Sequence, residues 1–143
     1  MFIGTYYHAL DEKNRVAVPV HFRPELSSQS VITRGLDGCL FIFTADSWSK
    51  LIAKLETLPL TSKSARDFLR LLTYNAVPLD IDSHGRTLLP PHLLDIANLK
   101  KEVVFAGALT RIEVWDKSVY HAYVDGLAQS ETDLSDAMQE LGI

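Results

Sequence analysis

Two arginines bring the most specific chemistry to this sequence. Arg15 follows Asp11 in the segment Asp11-Glu12-Lys13-Asn14-Arg15, and Arg86 follows Asp82 in Asp82-Ser83-His84-Gly85-Arg86. A guanidinium is a permanently charged, planar fork that can hold a phosphate, or the O6/N7 edge of guanine, through two parallel hydrogen bonds. Lys13 adds a point charge suited to a phosphate backbone. His84, its counterpart, is neutral for much of the time near pH 7, so the first segment is the more cationic. Asp11 and Asp82 stand where a carboxylate accepts backbone N–H bonds and fixes the direction of the arginine. The competing use of each arginine is an internal ion pair with its own aspartate.

These two segments belong to an internal repeat. At a step of 71 positions, residues 10–22 lie on residues 81–93, with Asp, Arg, Pro and His identical at 11/82, 15/86, 19/90 and 21/92. One inserted residue changes the step to 72. Val31 and Ile32 then match Val103 and Val104, Gly35 matches Gly107, and Leu40, Ile42 and Phe43 match Ile112, Val114 and Trp115. Trp48, Leu51, Ile52 and Leu55 match Tyr120, Tyr123, Val124 and Leu127. The chain therefore divides into a first module with its helix (1–60), a linking helix (61–74), a second module with its helix (75–130) and an acidic C-terminal helix (131–143).

The elements that must hold the arginines are legible in outline. Ile3 to Tyr7 and Val77 to Ile81 are β-prone runs, and Arg15 to Val18 and Arg86 to Leu89 return as strands that Pro19 and Pro90 stop. Between them, residues 11–14 and 82–85 are turns, because Asn and Gly tolerate positive φ. Val31 to Arg34 and Leu40 to Phe43 form a hairpin around Gly35-Leu36-Asp37-Gly38, echoed by Glu102 to Ala106 with Arg111 to Trp115. Trp48, Leu51, Ile52 and Leu55 mark one helix face, capped by Asp46 or Ser47; Ala65, Phe68, Leu69 and Leu72 mark another, started by Ser62 or Ser64. A last stripe of Leu134, Ala137, Met138 and Leu141 is short and acidic, and such a helix needs a surface to dock on.

The double segment resembles the paired motif of the MraZ family, roughly Asp-x-Lys-Gly-Arg-x-x-x-Pro followed by Asp-x-x-Gly-Arg-x-x-x-Pro. The opening Phe2-x-Gly4, Phe22-Arg23 after the first proline, and Glu113-Val114-Trp115-Asp116 resemble the family as well, so the likeness spans residues 2–127. It implies an α+β fold of two tandem AbrB-like swapped-hairpin modules that form a small pseudo-twofold barrel with flanking helices. It implies a bacterial transcriptional regulator that binds direct repeats in double-stranded DNA upstream of a division and cell-wall operon, and that assembles into a ring homo-oligomer. Matched residue by residue, the DNA-binding positions are Lys13, Asn14, Arg15, His84, Gly85 and Arg86. Asn14 departs from the family's glycine, but Asn is the next best residue for a left-handed turn.

Composition excludes other classes. Cys39 is the single cysteine, so no disulfide can form within the chain, and it fits a reducing cytoplasm. No run approaches the roughly 18 apolar residues of a membrane span, and the opening residues lack the basic and apolar regions expected of a signal peptide. The net charge of −4 divides unevenly, +2 over residues 1–75 and −6 over 76–143, so a DNA surface has to be a local basic patch. Asp82-Ser83-His84 are consecutive, whereas triad members meet in space. Cys39 has no evident base and reads as a buried structural thiol. The five histidines lack zinc-ligand spacing. No enzyme, cofactor, metal or small-molecule ligand is expected. His21 and His92 read as helix-start or packing residues, Trp48, Tyr120 and Tyr123 as core, and Arg66 and Arg70 as a solvated face or an intersubunit pair. Arg23 is either a phosphate contact or a solvated charge. The expected protein is a cytoplasmic, nucleoid-associated repressor of its own operon. The alternative is an oligomeric protein-interaction scaffold without specific DNA binding.

Overall fold

The first strand of each repeat leaves its own module and pairs with the hairpin of the other. In this computed structural model, which describes residues 1–128 and 131–143, the strands are β1 (Thr5–Ala9), β2 (Arg15–Ala17), β3 (Val31–Arg34), β4 (Leu40–Phe43), β5 (Val77–Pro78), β6 (Arg86–Leu88), β7 (Glu102–Gly107) and β8 (Arg111–Asp116). The helices are α1 (Ala45–Leu55), α2 (Lys63–Tyr74), α3 (Pro91–Ile96), α4 (Lys117–Ala128) and α5 (Glu131–Leu141). An antiparallel sheet runs β1-β7-β8-β4-β3-β5, and β2 and β6 form a separate two-stranded ribbon. The protein is a mixed α+β fold, and no helix among the described residues is long and apolar enough to cross a membrane.

Register shows the symmetry of the repeat. In the ribbon Val16 faces Thr87, its own equivalent at the step of 71. In the sheet Phe41 faces Glu113, its equivalent at the step of 72. An antiparallel pair in which a residue meets its own counterpart has a local twofold at that point, so both pairings lie on pseudo-twofold axes.

Period-two alternation explains the dense apolar strands. All four residues of β4 are buried: Leu40 and Ile42 join one core cluster with Ile32, Val103, Phe105, Ile112 and Val114, while Phe41 and Phe43 join another with Cys39, Val104 and Trp115. The first cluster is closed by Phe2, Phe22, Leu79, Leu89 and Leu93. The second is covered by Trp48 and Leu51 of α1 and by Val119 and Tyr120 of α4. Full burial of one such aliphatic side chain stabilises by about 1.5–3 kcal/mol, so the two-sided central strands dominate the packing.

Several boundaries differ from the sequence expectation for local reasons. β1 starts at Thr5 because Phe2 is tied to Leu109 by paired backbone bonds and Gly4 has φ +88°. β5 ends at Pro78, and Ile81 makes only an isolated bridge to Thr87. Thr44 caps α1, its hydroxyl accepting from the Ser47 N–H, so Asp46 and Ser47 lie inside the helix. Ser62 caps α2 as expected. After Pro19 the chain makes a 3-10 turn at Arg23–Glu25, and after Pro90 it enters α3 with Pro91 at the first helical position. The expected module end at residue 130 lies outside the described residues. Leu134, Met138 and Leu141 of α5 are exposed.

Candidate nucleic-acid interface

Each Asp-x-x-x-Arg segment is a closed turn. Asp11 N–H donates to the Arg15 carbonyl at 2.8 Å and Asn14 N–H to the Asp11 carbonyl at 3.1 Å; Asp82 with Arg86 and Gly85 with Asp82 repeat these bonds at 2.8 and 3.0 Å. Asp11 Oδ1 accepts from the backbone N–H groups of Lys13 and Arg15, both at 2.9 Å. Asp82 Oδ1 accepts from those of His84 and Arg86, at 2.8 and 3.0 Å. Asn14 and Gly85 take the left-handed conformation at φ +60° and +78°.

The ribbon of β2 and β6 joins the two turns, one at each of its ends. Val18 N–H donates to the Gly85 carbonyl at 2.9 Å and Leu89 N–H to the Asn14 carbonyl at 3.0 Å, a reciprocal pair across the pseudo-twofold. The six positions expected from sequence are thereby carried on one short ribbon and its two turns. Lys13, Asn14 and His84 are exposed, Gly85 is buried, and the two arginine side chains are about one third exposed.

The internal ion pairs that compete for the arginines are present. Arg15 Nε donates to Asp11 Oδ2 at 2.8 Å. The same oxygen lies 3.6 Å from an Arg86 terminal nitrogen, while Arg86 Nε is 3.5 Å from Asp82 Oδ2. That Nε is buried and has no hydrogen-bond acceptor. The symmetry is thus broken: Asp11 serves both arginines, and Arg86 is the more loosely held. Single ion pairs open to solvent on one side are weak beside a good bidentate base contact, so the aspartates can orient the arginines without withholding them.

Backbone N–H bonds hold both carboxyls below the usual carboxylate value, led by Arg15 N–H at Asp11 and Arg86 N–H at Asp82. A depressed folded pKa contributes stability that is present above the unfolded value, here 3.8, and is lost as pH falls through the lower folded value. Thermal melts are therefore expected to show no contribution from these groups to pH dependence between pH 8 and 5. Below about pH 4, D11N/D82N should lose less stability than the parent. Equal acid sensitivity in both proteins would show that the turn carboxylates are not linked to folding.

Arg23 is the residue whose place the sequence left open. Its Nε donates to the Val18 carbonyl at 2.7 Å, and its guanidinium lies against Gly85, where a Cβ would collide with it. The remaining candidates have local roles. Cys39 is buried, and burial pushes its thiol up to about 12. His21 packs on Tyr6 with ring centroids 5.2 Å apart, and His92 Nε2 lies 3.2 Å from the Asn75 carbonyl. Trp48 and Tyr120 pack on the second core cluster, whereas Tyr123 is 41% exposed with one face on Trp115. Arg66 donates to the Leu60 carbonyl, and Arg70 lies 3.7 Å from Asp67. No cluster of metal-ligating side chains occurs among the described residues.

Compared with known proteins, the chain matches the model of a family described as "MraZ protein, putative antitoxin-like" twice, over residues 1–71 and 72–141. It is 42% identical to the transcriptional regulator MraZ of Thermoanaerobacter pseudethanolicus, and 43% identical to those of Halothermothrix orenii and Clostridium tetani. Each of these matches covers all 143 residues and the full length of the relative.

Proposed function

The chain belongs to the MraZ family, and from that premise we propose that it is a sequence-specific DNA-binding transcriptional regulator that represses its own division and cell-wall operon. The relatives are named as transcriptional regulators, and the family is not one of enzymes. The observation that carries the reading is the β2–β6 ribbon, which presents the Lys13-Asn14-Arg15 and His84-Gly85-Arg86 turns together. A single bidentate contact supplies only about 1–3 kcal/mol of base discrimination. A pair of turns in each chain, multiplied around a ring homo-oligomer, meets successive direct repeats and gains avidity without new contacts. Head-to-tail interfaces close into such a ring when the rotation permits.

The same reading covers the architecture. The exchanged strands are two AbrB-like swapped hairpins in a small pseudo-twofold barrel, with modules at 1–60 and 75–130, the linking helix at 61–74 and the acidic helix at 131–143. The protein works in the cytoplasm, on the nucleoid, without a cofactor or small-molecule ligand.

The test is a titration against duplex DNA carrying the direct repeats upstream of the gene, with shuffled DNA as control, at two salt concentrations. Binding that depends on the repeats and weakens steeply with salt, with a log–log slope of about −0.9 per phosphate neutralised, is the expected result. Equal binding to both duplexes would remove the operator assignment and leave the oligomeric protein-interaction scaffold as the better reading.

A further inference from the structure

We infer that Arg23 is a phosphate-binding residue of the second turn, supplied across the pseudo-twofold by the first module. The inference rests on the DNA-binding reading above and adds a residue to it. Three mismatches in the repeat meet at one point. Lys13 corresponds to His84, Asn14 to Gly85, and Arg23 to Leu94. The second turn thus lacks the lysine of the first, and the second module lacks the arginine. In the structure the Arg23 guanidinium occupies the space that a side chain at position 85 would need. Gly85 is therefore the residue that lets a cation from the first module lie on the second turn, beside His84.

The guanidinium is positioned but not neutralised. One N–H is committed to the Val18 carbonyl at 2.7 Å, which fixes the plane of the fork and leaves both terminal nitrogens. Among the described residues no carboxylate forms an ion pair with it, although Asp80 borders the same cleft together with Ser27 and Ser28. Arg15 and Arg86, by contrast, both have carboxylates within ion-pair distance. His8 lies within reach of this cation: its pKa is lowered first by burial and then by the charge of Arg23. A partly buried cation without a counter-ion is unfavourable, and a DNA phosphate at the second turn relieves it with a charge-assisted, forked contact.

Removing a phosphate contact weakens binding to all sequences and lowers the salt slope, whereas removing a residue that only braces the turn leaves the slope alone. R23Q and R23K should therefore be compared with the parent, on repeat and shuffled duplexes over a salt series, alongside thermal unfolding. In R23Q the expected result is a similar loss on both duplexes and a salt slope shallower by about 0.9 for each bound subunit. R23K, which keeps the charge but loses the fork, should keep most of the slope. An unchanged slope in a folded R23Q overturns the proposal, as does loss of the fold in both variants, because each outcome makes Arg23 a brace. A parent protein that binds neither duplex overturns the DNA-binding reading itself, and this inference with it. A parent that binds normally beside an R23Q of unaltered slope overturns this inference alone.

Discussion

R15A is expected to abolish the preference for direct repeats over shuffled DNA while leaving the oligomeric state unchanged. Arg15 is the more firmly held of the two turn arginines, bonded to an Asp11 carboxylate that is itself fixed by two backbone N–H bonds. Loss of one bidentate contact removes about 1–3 kcal/mol of discrimination at each turn, and the loss multiplies over every subunit on the operator. R86A removes the more loosely held arginine, 3.6 Å from Asp11 Oδ2, and leaves the 2.8 Å Arg15–Asp11 pair intact, so it should weaken binding less. Fluorescence anisotropy on the two duplexes measures the preference, and light scattering measures the oligomer. Retained preference would assign Arg15 to the turn alone. Dissociation of the oligomer would make it a structural residue.

G107A is expected to destabilise the protein by about 3 kcal/mol, the upper end of the usual cost of overpacking. Gly107 ends β7, and its N–H donates to the Gly4 carbonyl at 2.8 Å. A Cβ there would collide with the backbone of Phe2 and Ile3. Backbone cannot rotate aside as a long side chain can, so the N-terminal segment must move. That segment carries Phe2, which is 2% exposed and packs edge-on against Phe22 at a centroid distance of 5.4 Å. At this chain length the penalty corresponds to a fall of about 6–12 °C in melting temperature. Gly126 in α4 is the control: among the described residues a Cβ there meets nothing within 4 Å, and alanine is favoured over glycine inside a helix by about 1 kcal/mol. G126A should melt no lower than the parent. A G107A protein as stable as G126A would show that the N-terminal segment is not packed on β7.

What could be read directly from the chain was local. The repeat shows when the chain is laid on itself, and the Asx-type turns at Asp11 and Asp82, the hairpins at β3–β4 and β7–β8, the Ser62 cap and the apolar faces of α1 and α2 all depend on residues near one another in sequence, where φ preference, side-chain reach and periodicity act without knowledge of the rest. The six turn positions were legible on the same ground, since a turn is a local object. Strand partners were not. The alternation in β1 says which residues face the core, but nothing in it says that β1 pairs with β7, because that choice is made by the fit of two surfaces about 100 residues apart. The same holds for the ribbon. Each turn was visible alone, yet only the pairing of Val16 with Thr87 makes them one surface and gives Asp11 a second arginine. The sequence by itself thus determined two modules, their turns and the cations they carry. Tertiary structure decided which turn meets which, that Gly85 lies under Arg23 and that Gly107 lies under the N-terminus, because close approach between distant segments is a property of the assembled packing and leaves no periodic trace in the chain.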